Sequence, residues 1–290
     1  MPDVRPVGPE HFDQVYPLLL EFANSAMSRD DWRRMLFDLP WSVSETHRGY
    51  ALFENDRVVG FLGTIFSERQ VGSVRRRVCN LSSWIVKPSH RSSSFLLLLP
   101  VLSMTSHTIV NLSASPSAHE IFRGLGFRTL EDRQALLVPV PLPGEIVRLP
   151  RTEALLDPGR VLDRLDAVGR RIFEDMRRTL AAQVLLIDGD RTCHVVATRS
   201  PWKARLQLAH VQYASDWMFL ADHGSLAAWS LHRQLGTVGL RIDGRRLTRR
   251  APPFSVRRTL RLPHLYRPAE SDITPDQIDG LYTEAVNQRW

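Results

Sequence analysis

Lysine is almost missing from this chain: of 38 basic residues only Lys87 and Lys203 are lysine, and the other 36 are arginine. A GC-rich coding sequence gives such a skew without any function behind it, so the net charge of +7 is by itself weak evidence for a polyanionic partner. Cysteine is scarce as well. Cys79 and Cys193 alone make neither a disulfide framework nor a zinc site, and no metal is expected. Long apolar runs are absent: the longest, residues 95–102, has eight residues and contains Pro100, where a membrane-spanning helix needs roughly 20. The opening Met1-Pro2-Asp3-Val4-Arg5 lacks the charged-then-apolar plan of a secretory signal. Together these absences lead us to expect a soluble protein of a reducing cytoplasm, with no membrane partner. Acidic residues are missing from one stretch in particular. From Arg69 to His119 there is no Asp or Glu, while Arg69, Arg75, Arg76, Arg77, Lys87 and Arg91 sum to +6. A basic zone among core strands favours an anionic ligand; a solvated basic face is the plainer alternative.

At 290 residues, 43% hydrophobic and 24% charged, the chain has material for two domains or one large one, and disorder is excluded. Residues 4–7 read as a strand. Phe12, Val15, Tyr16, Leu19, Phe22 and Ala23 recur at helical spacing, and a second helix is expected over 29–39. Two β-rich runs, 50–53 and 58–66, flank the turn pair Asn55-Asp56 and predict a hairpin. A long strand follows at 74–86. The polar loop 89–94 then leads into an apolar helix over 95–104, a strand at 108–112, a helix at 117–125 and a strand at 134–140.

Three prolines and a glycine within residues 138–144 mark a linker, so the expected domains are 1–143 and 144–290. Beyond it, a long helix is expected through Val161, Leu165, Val168, Ile172, Met176 and Leu180. Strands are expected at 184–187, 194–198, 205–213 and 237–242, with a helix over 225–235. Thr274-Pro275-Asp276-Gln277 has the form of a capping box opening a last helix, with Ile278, Leu281, Tyr282 and Ala285 on its apolar face.

Two segments carry a family resemblance. Trp84-Ile-Val-Lys-Pro-Ser-His-Arg-Ser-Ser-Ser-Phe95 and Ala118-His-Glu-Ile-Phe-Arg-Gly-Leu-Gly-Phe127 resemble motifs of the GNAT superfamily of acyl-CoA N-acyltransferases, over roughly the first half of the chain. The resemblance implies an α/β (α+β) fold, a mixed central sheet flanked by helices. The order strand, loop, helix, strand recurs in residues 204–242 and suggests a second, degenerate GNAT-like half without a phosphate loop. The implied co-substrate is acetyl-CoA or another acyl-CoA. Its pyrophosphate would sit on Arg91, Ser92, Ser93 and Ser94 at a helix N-terminus, where unpaired N–H groups and the helix dipole favour an anion. Serines stand where the family has glycines. The pantetheine arm would pair with the backbone of Ile85 and Val86. Ser115 stands where the family often has an Asn, and Phe122 where many members have the tyrosine that protonates the departing thiolate.

An amine acceptor must lose a proton, which calls for a carboxylate, a histidine or a water relay. Glu68 is the nearest acidic candidate, with an exposed strand-end charge as the plainer reading; His119 is the second candidate. His90 and His107 read as surface or capping residues, and Cys79 as inert packing. The expected reaction is acyl transfer to a small-molecule amine, the alternative a silent GNAT-like module that binds acyl-CoA or a partner. The cluster Arg245, Arg246, Arg249, Arg250, Arg257, Arg258 and Arg261 has few aromatics among it, so nucleic acid is not an expected partner.

Overall fold

The computed structural model describes residues 2–24, 26–71, 74–138, 151–203, 205–247 and 255–289. The linker expected at 138–144 lies outside these residues apart from Val138. The chain divides into two compact units. The first holds residues 1–130, 264–277 and 282–289; the second holds 131–263 and 278–281. This division differs from the expected domains, 1–143 and 144–290. The boundary falls instead inside a strand, and the C-terminal segment returns to the first unit because its apolar side chains are buried there.

In the first unit, β1 (Asp3–Val7), β2 (Gly49–Glu54), β3 (Arg57–Val71), β4 (Val74–Val86) and β5 (His107–Asn111) follow one another in the sheet. All neighbours are antiparallel except β4 and β5. Asn55 and Asp56 take φ of 48° and 58°, the paired left-handed conformation that a tight hairpin demands and that Asn and Asp tolerate. The helices α1 (Phe12–Leu19) and α2 (Arg29–Leu36) cover one face. Phe37 stacks on Phe61 there, and Gly63 leaves room for Leu36, whose Cδ2 would lie 3.2 Å from an added Cβ. The other face carries α3 (Leu98–Leu102) and α4 (Pro116–Gly124), which bury Leu98, Val101 and Phe122 against Phe66, Cys79, Leu81 and Ile109. Strand alternation then assigns Ile65, Asn80 and Val110 to the α1/α2 face.

The second unit repeats this plan. Its elements are β7 (Thr152–Leu155), α5 (Pro158–Arg164), α6 (Ala167–Met176), β8 (Ala182–Asp188), β9 (Arg191–Pro201), β10 (Gln207–Ala214), α7 (Trp217–Asp222), α8 (Gly224–Leu235) and β11 (Leu240–Asp243). The strands are again ordered in sequence, and only the last pair, β10 and β11, is parallel. The single helix expected over 161–180 is two, because Asp166 caps a new N-terminus, its Oδ1 accepting from Gly169 N–H at 2.7 Å.

The final strands of the two sequence halves are exchanged. In the second unit β6 (Arg128–Leu137) pairs with β11 through residues 134–137. In the first unit β12 (Ser255–Arg267) pairs with β5 through residues 265–267. The described arginines of the 245–261 cluster are divided between β12 and the turn before it. Arg257, Arg258 and Arg261 lie exposed on β12, Arg245 bonds Asp243, and Arg246 donates to the Ile278 carbonyl. Arg249 and Arg250 lie outside the described residues. No helix of the described residues is long and apolar enough to cross a membrane.

The expected C-terminal helix is absent. Short 3-10 turns, Pro275–Gln277 and Glu284–Val286, take its place, and Ile278, Leu281, Tyr282 and Val286 are buried without helical periodicity. Tertiary burial of an irregular segment produced the same apolar spacing that a helix would show.

Candidate functional site

The parallel pairing of β4 with β5 ends at Leu81 and Asn111, while β4 stays paired with β3 as far as Gly60 and Val86. Residues 82–86 therefore present one edge of backbone donors and acceptors that no strand among the described residues covers. Here β4 is bulged: two residues, Ser83 and Trp84, face Leu62 alone, and Ser83 is held at φ 57°. A non-glycine residue in the left-handed region is strained, and such strain concentrates at functional positions. The Trp84 Nε1 donor is buried and unpartnered beside this edge, while its ring packs 5.7 Å from Phe122. The divergence of β4 from β5 is a slot for an extended, amide-bearing chain.

The expected donor-binding residues fall around this slot with one correction. Ile85 and Val86 lie on the uncovered edge of β4. Residues 89–94 are not a loop: they belong to a 3-10 helix, Pro88–Leu97, whose N-cap is Lys87. The prolyl start at residue 88 moved the helix N-terminus forward, so the N–H groups of Ser92, Ser93 and Ser94 lie within the helix and do not form an N-terminal anion cradle. Ser115 caps α4, its Oγ accepting from Ala118 N–H at 3.3 Å. Phe122 is 1% exposed and packs against Phe127, with ring centroids 4.9 Å apart.

The expected proton acceptors fare differently. Glu68 pairs with Arg75 at 3.0 Å and stands opposite Arg77, four positions along β4 from the last β4–β5 pair at Leu81, towards the far end of its strand. His119 lies on α4 with its Nε2 buried and unpartnered. His90 Nε2 bonds Glu54 and His107 Nε2 bonds Glu45, at 2.8 and 2.9 Å. Cys79 is fully buried and its thiol is pushed up by desolvation, as inert packing requires. The basic zone is partly neutralised, since Arg76 pairs with Glu270 and with Asp272.

Sequence reasoning missed Glu284. Its side chain is fully buried in the first unit, and neither carboxyl oxygen completes a hydrogen bond among the described residues. Its backbone N–H donates to Asn80 Oδ1 at 3.0 Å, which fixes it on the α1/α2 face at the penultimate β4–β5 pair. Desolvation raises the carboxyl to about 7; Ser113, Asn80 and the charge of His264 oppose the shift without cancelling it. Nothing in the sequence marked this residue, because its burial depends on a contact across 204 positions of chain. Asn80 anchors it, and Asn80→Ala would leave the buried Glu284 N–H without an acceptor. We expect a loss of about 1–3 kcal/mol, read from the denaturant midpoint.

The second unit has the same divergence. Pairing of β10 with β11 ends at His210 and Arg241, and β10 is bulged at Gln212. Here, however, the chain covers its own edge: Gly280 N–H donates to the Gln212 carbonyl at 3.0 Å. The lack of a side chain at Gly280 permits this approach, since an added Cβ would collide with the Gln212 side chain.

No family model matches the sequence, and no curated protein resembles it in sequence. The fold, however, has solved counterparts. A GCN5-related N-acetyltransferase from Anabaena variabilis is similar over 93% of this chain and 73% of its own, with TM-score 0.58 and 11% identity. One from Kribbella flavida covers 93% and 72%, with TM-score 0.52 and 15% identity. Eis1 from Mycobacterium abscessus covers 92% and 74%, with TM-score 0.51 and 12% identity. The fold is therefore one that these N-acetyltransferases share, a mixed sheet flanked by helices as expected.

Proposed function

We propose that this protein is an N-acyltransferase that moves an acyl group, in the simplest case acetyl, from acyl-CoA to the amine of a small molecule by direct attack. The observation that carries this reading is the uncovered, bulged edge of β4 in the first unit. A pantetheine arm laid along it would find backbone partners at Ile85 and Val86 and a side-chain donor at Trp84. N–H groups on the same edge would polarise the thioester carbonyl, so catalysis would come mainly from orientation and preorganised dipoles. Lys87, Arg91 and Ser92, Ser93 and Ser94 supply two cations and three hydroxyls for the phosphates, now through side chains. Ser115 retains a hydroxyl proton to donate. Phe122 cannot act as an acid and serves as the wall of the slot.

The Gly280 segment takes the equivalent edge of the second unit, so calorimetric titration with CoA should give one site per chain. Arg91 is exposed. Arg91→Glu removes a charge-assisted bond of about 1.5–3 kcal/mol and should weaken CoA at least tenfold without moving the melting temperature. Arg77→Glu, on β4 but remote from the slot, is the control. Unchanged affinity in Arg91→Glu removes the phosphates from this segment. Acyl transfer itself is tested by following free thiol with acetyl-CoA and pooled primary amines. Phe122, without an acid group, favours a second reading, a silent acyl-CoA-binding or partner-binding module. CoA binding with no thiol release under any amine would establish that reading instead.

A further inference from the structure

A fully buried carboxyl group whose oxygens complete no well-formed hydrogen bond among the described residues, even with Ser113 and Asn80 nearby, is costly, and folded proteins rarely keep one without a use. Glu284 is such a group, and its place is specific. The register ends β4–β5 pairing one residue beyond Asn80 and Val110, and both point to the α1/α2 face, where Asn80 holds the Glu284 backbone. His264 lies on the same face of β12, because its neighbour Leu265 pairs with Asn111 and packs into the opposite core. The carboxyl thus stands at the vertex of the slot, on the face opposite α3 and α4. Ser113 is exposed on the turn after β5, and its hydroxyl bears on the carboxyl.

We propose that Glu284 is the proton acceptor for the attacking amine, a role that rests on the acyl-transfer reading above. The acceptor arrives as an ammonium group, and the ionised Glu284 takes one N–H proton. The freed lone pair forms the C–N bond to the thioester carbonyl carbon. The C–S bond breaks and the sulfur leaves with the bonding pair. The second N–H proton, lost as the amide forms, passes to that thiolate. Glu284 then releases its own proton to solvent by way of Ser113, so the sum is ammonium plus thioester to amide, thiol and one proton. A carboxyl near 7 is half ionised at neutral pH and exchanges protons with an amine more effectively than an exposed glutamate would. The other groups facing it are the neutral Asn80 and Ser113, and His264, whose positive charge would favour the ionised form.

The test is kcat/KM against pH from 5.5 to 9 for the full chain, with acetyl-CoA and three amines: putrescine, phenethylamine and a lysine-containing peptide. The wild-type profile should contain an ionisation near 7 that activates as pH rises. Glu284→Gln should lose that limb and about 10²–10⁴-fold of rate at pH 7, while binding CoA as before. Glu284→Asp keeps a titrating carboxyl and should keep the limb at reduced rate. Wild-type turnover without an ionisation between 6 and 8, or Glu284→Gln with the same limb and a rate within threefold, overturns the role of Glu284 alone. No thiol release by the wild type with any amine, despite CoA binding, overturns the acyl-transfer reading and this role with it.

Discussion

A chain truncated after Gly144 is expected to be insoluble or to melt without a cooperative transition. The first unit needs residues 264–277 and 282–289. Without them β5 loses its antiparallel neighbour at residues 265–267, and Arg76 loses Glu270 and Asp272. Asp31 also loses Arg289, 3.0 Å away. Leu265, Tyr266, Ile273, Tyr282 and Val286 are all at most 5% exposed, and their burial is lost together with the surfaces they cover. At about 1.5–3 kcal/mol for each buried apolar side chain the loss is on the order of 10 kcal/mol, comparable with the whole stability of an ordinary domain. Circular dichroism of the truncated and full chains on heating decides it. A sharp transition for the truncated chain within a few degrees of the full one would refute this account.

The second large effect is hidden in the wild-type protein and should emerge in Glu284→Gln. His194, on β9, is buried with its Nε2 on Gln183 Oε1 at 3.0 Å, and desolvation lowers it from 6.5 to about 4 despite the charge of Asp166. Its unfolded form binds a proton below 6.5 that the folded form refuses, so stability falls as pH drops from 6.5 towards 4. Glu284 is raised from 4.5 to about 7. Its folded form binds a proton that the unfolded form releases, so its contribution is full below 4.5 and is lost as pH rises through 7. Each group spans roughly 3 kcal/mol over its window, with opposite signs. Between pH 7 and 5 the two nearly cancel, and the denaturant midpoint of the wild type should change little. Glu284→Gln removes one side of the balance. That variant should lose about 2 kcal/mol on going from pH 7 to 5, with His47, also lowered by desolvation, adding to the loss. Equal pH dependence in the two proteins would contradict the buried states assigned to Glu284 and His194.

Much of the sheet was legible because strand signals are local. The bounds of β4 follow from its apolar run and from Pro88, and the β2–β3 hairpin from Asn55 and Asp56. The repeat of the plan in the second half was legible from element order alone. Where reading failed, distant contacts had decided the structure. Ile278, Leu281 and Tyr282 have helical spacing, yet they are buried in an irregular segment between short 3-10 turns. The alternating leucines and arginines of 260–262 belong to a strand, but the arginines drew attention to charge. The sequence points to the donor slot at Ile85 and Val86 and to Glu68 as the nearest strand carboxylate, and it gives no sign of Glu284. A strand-end carboxylate beside Arg75 satisfies itself locally; a carboxyl that meets its neighbours only after the chain returns leaves no local trace.

The division of β12 also sets a clock on the synthesis of this protein. Its residues 255–263 belong to one unit and 264–267 to the other, and residues 282–289 still have to follow. At about 5–20 residues per second on the ribosome, roughly 8–30 s separate the emergence of residue 130 from that of residue 289. Throughout that interval the β4–β5 sheet stands with an open edge at β5, where a strand of another chain could pair. The nascent protein therefore depends on whatever shields that edge until its own last strand arrives.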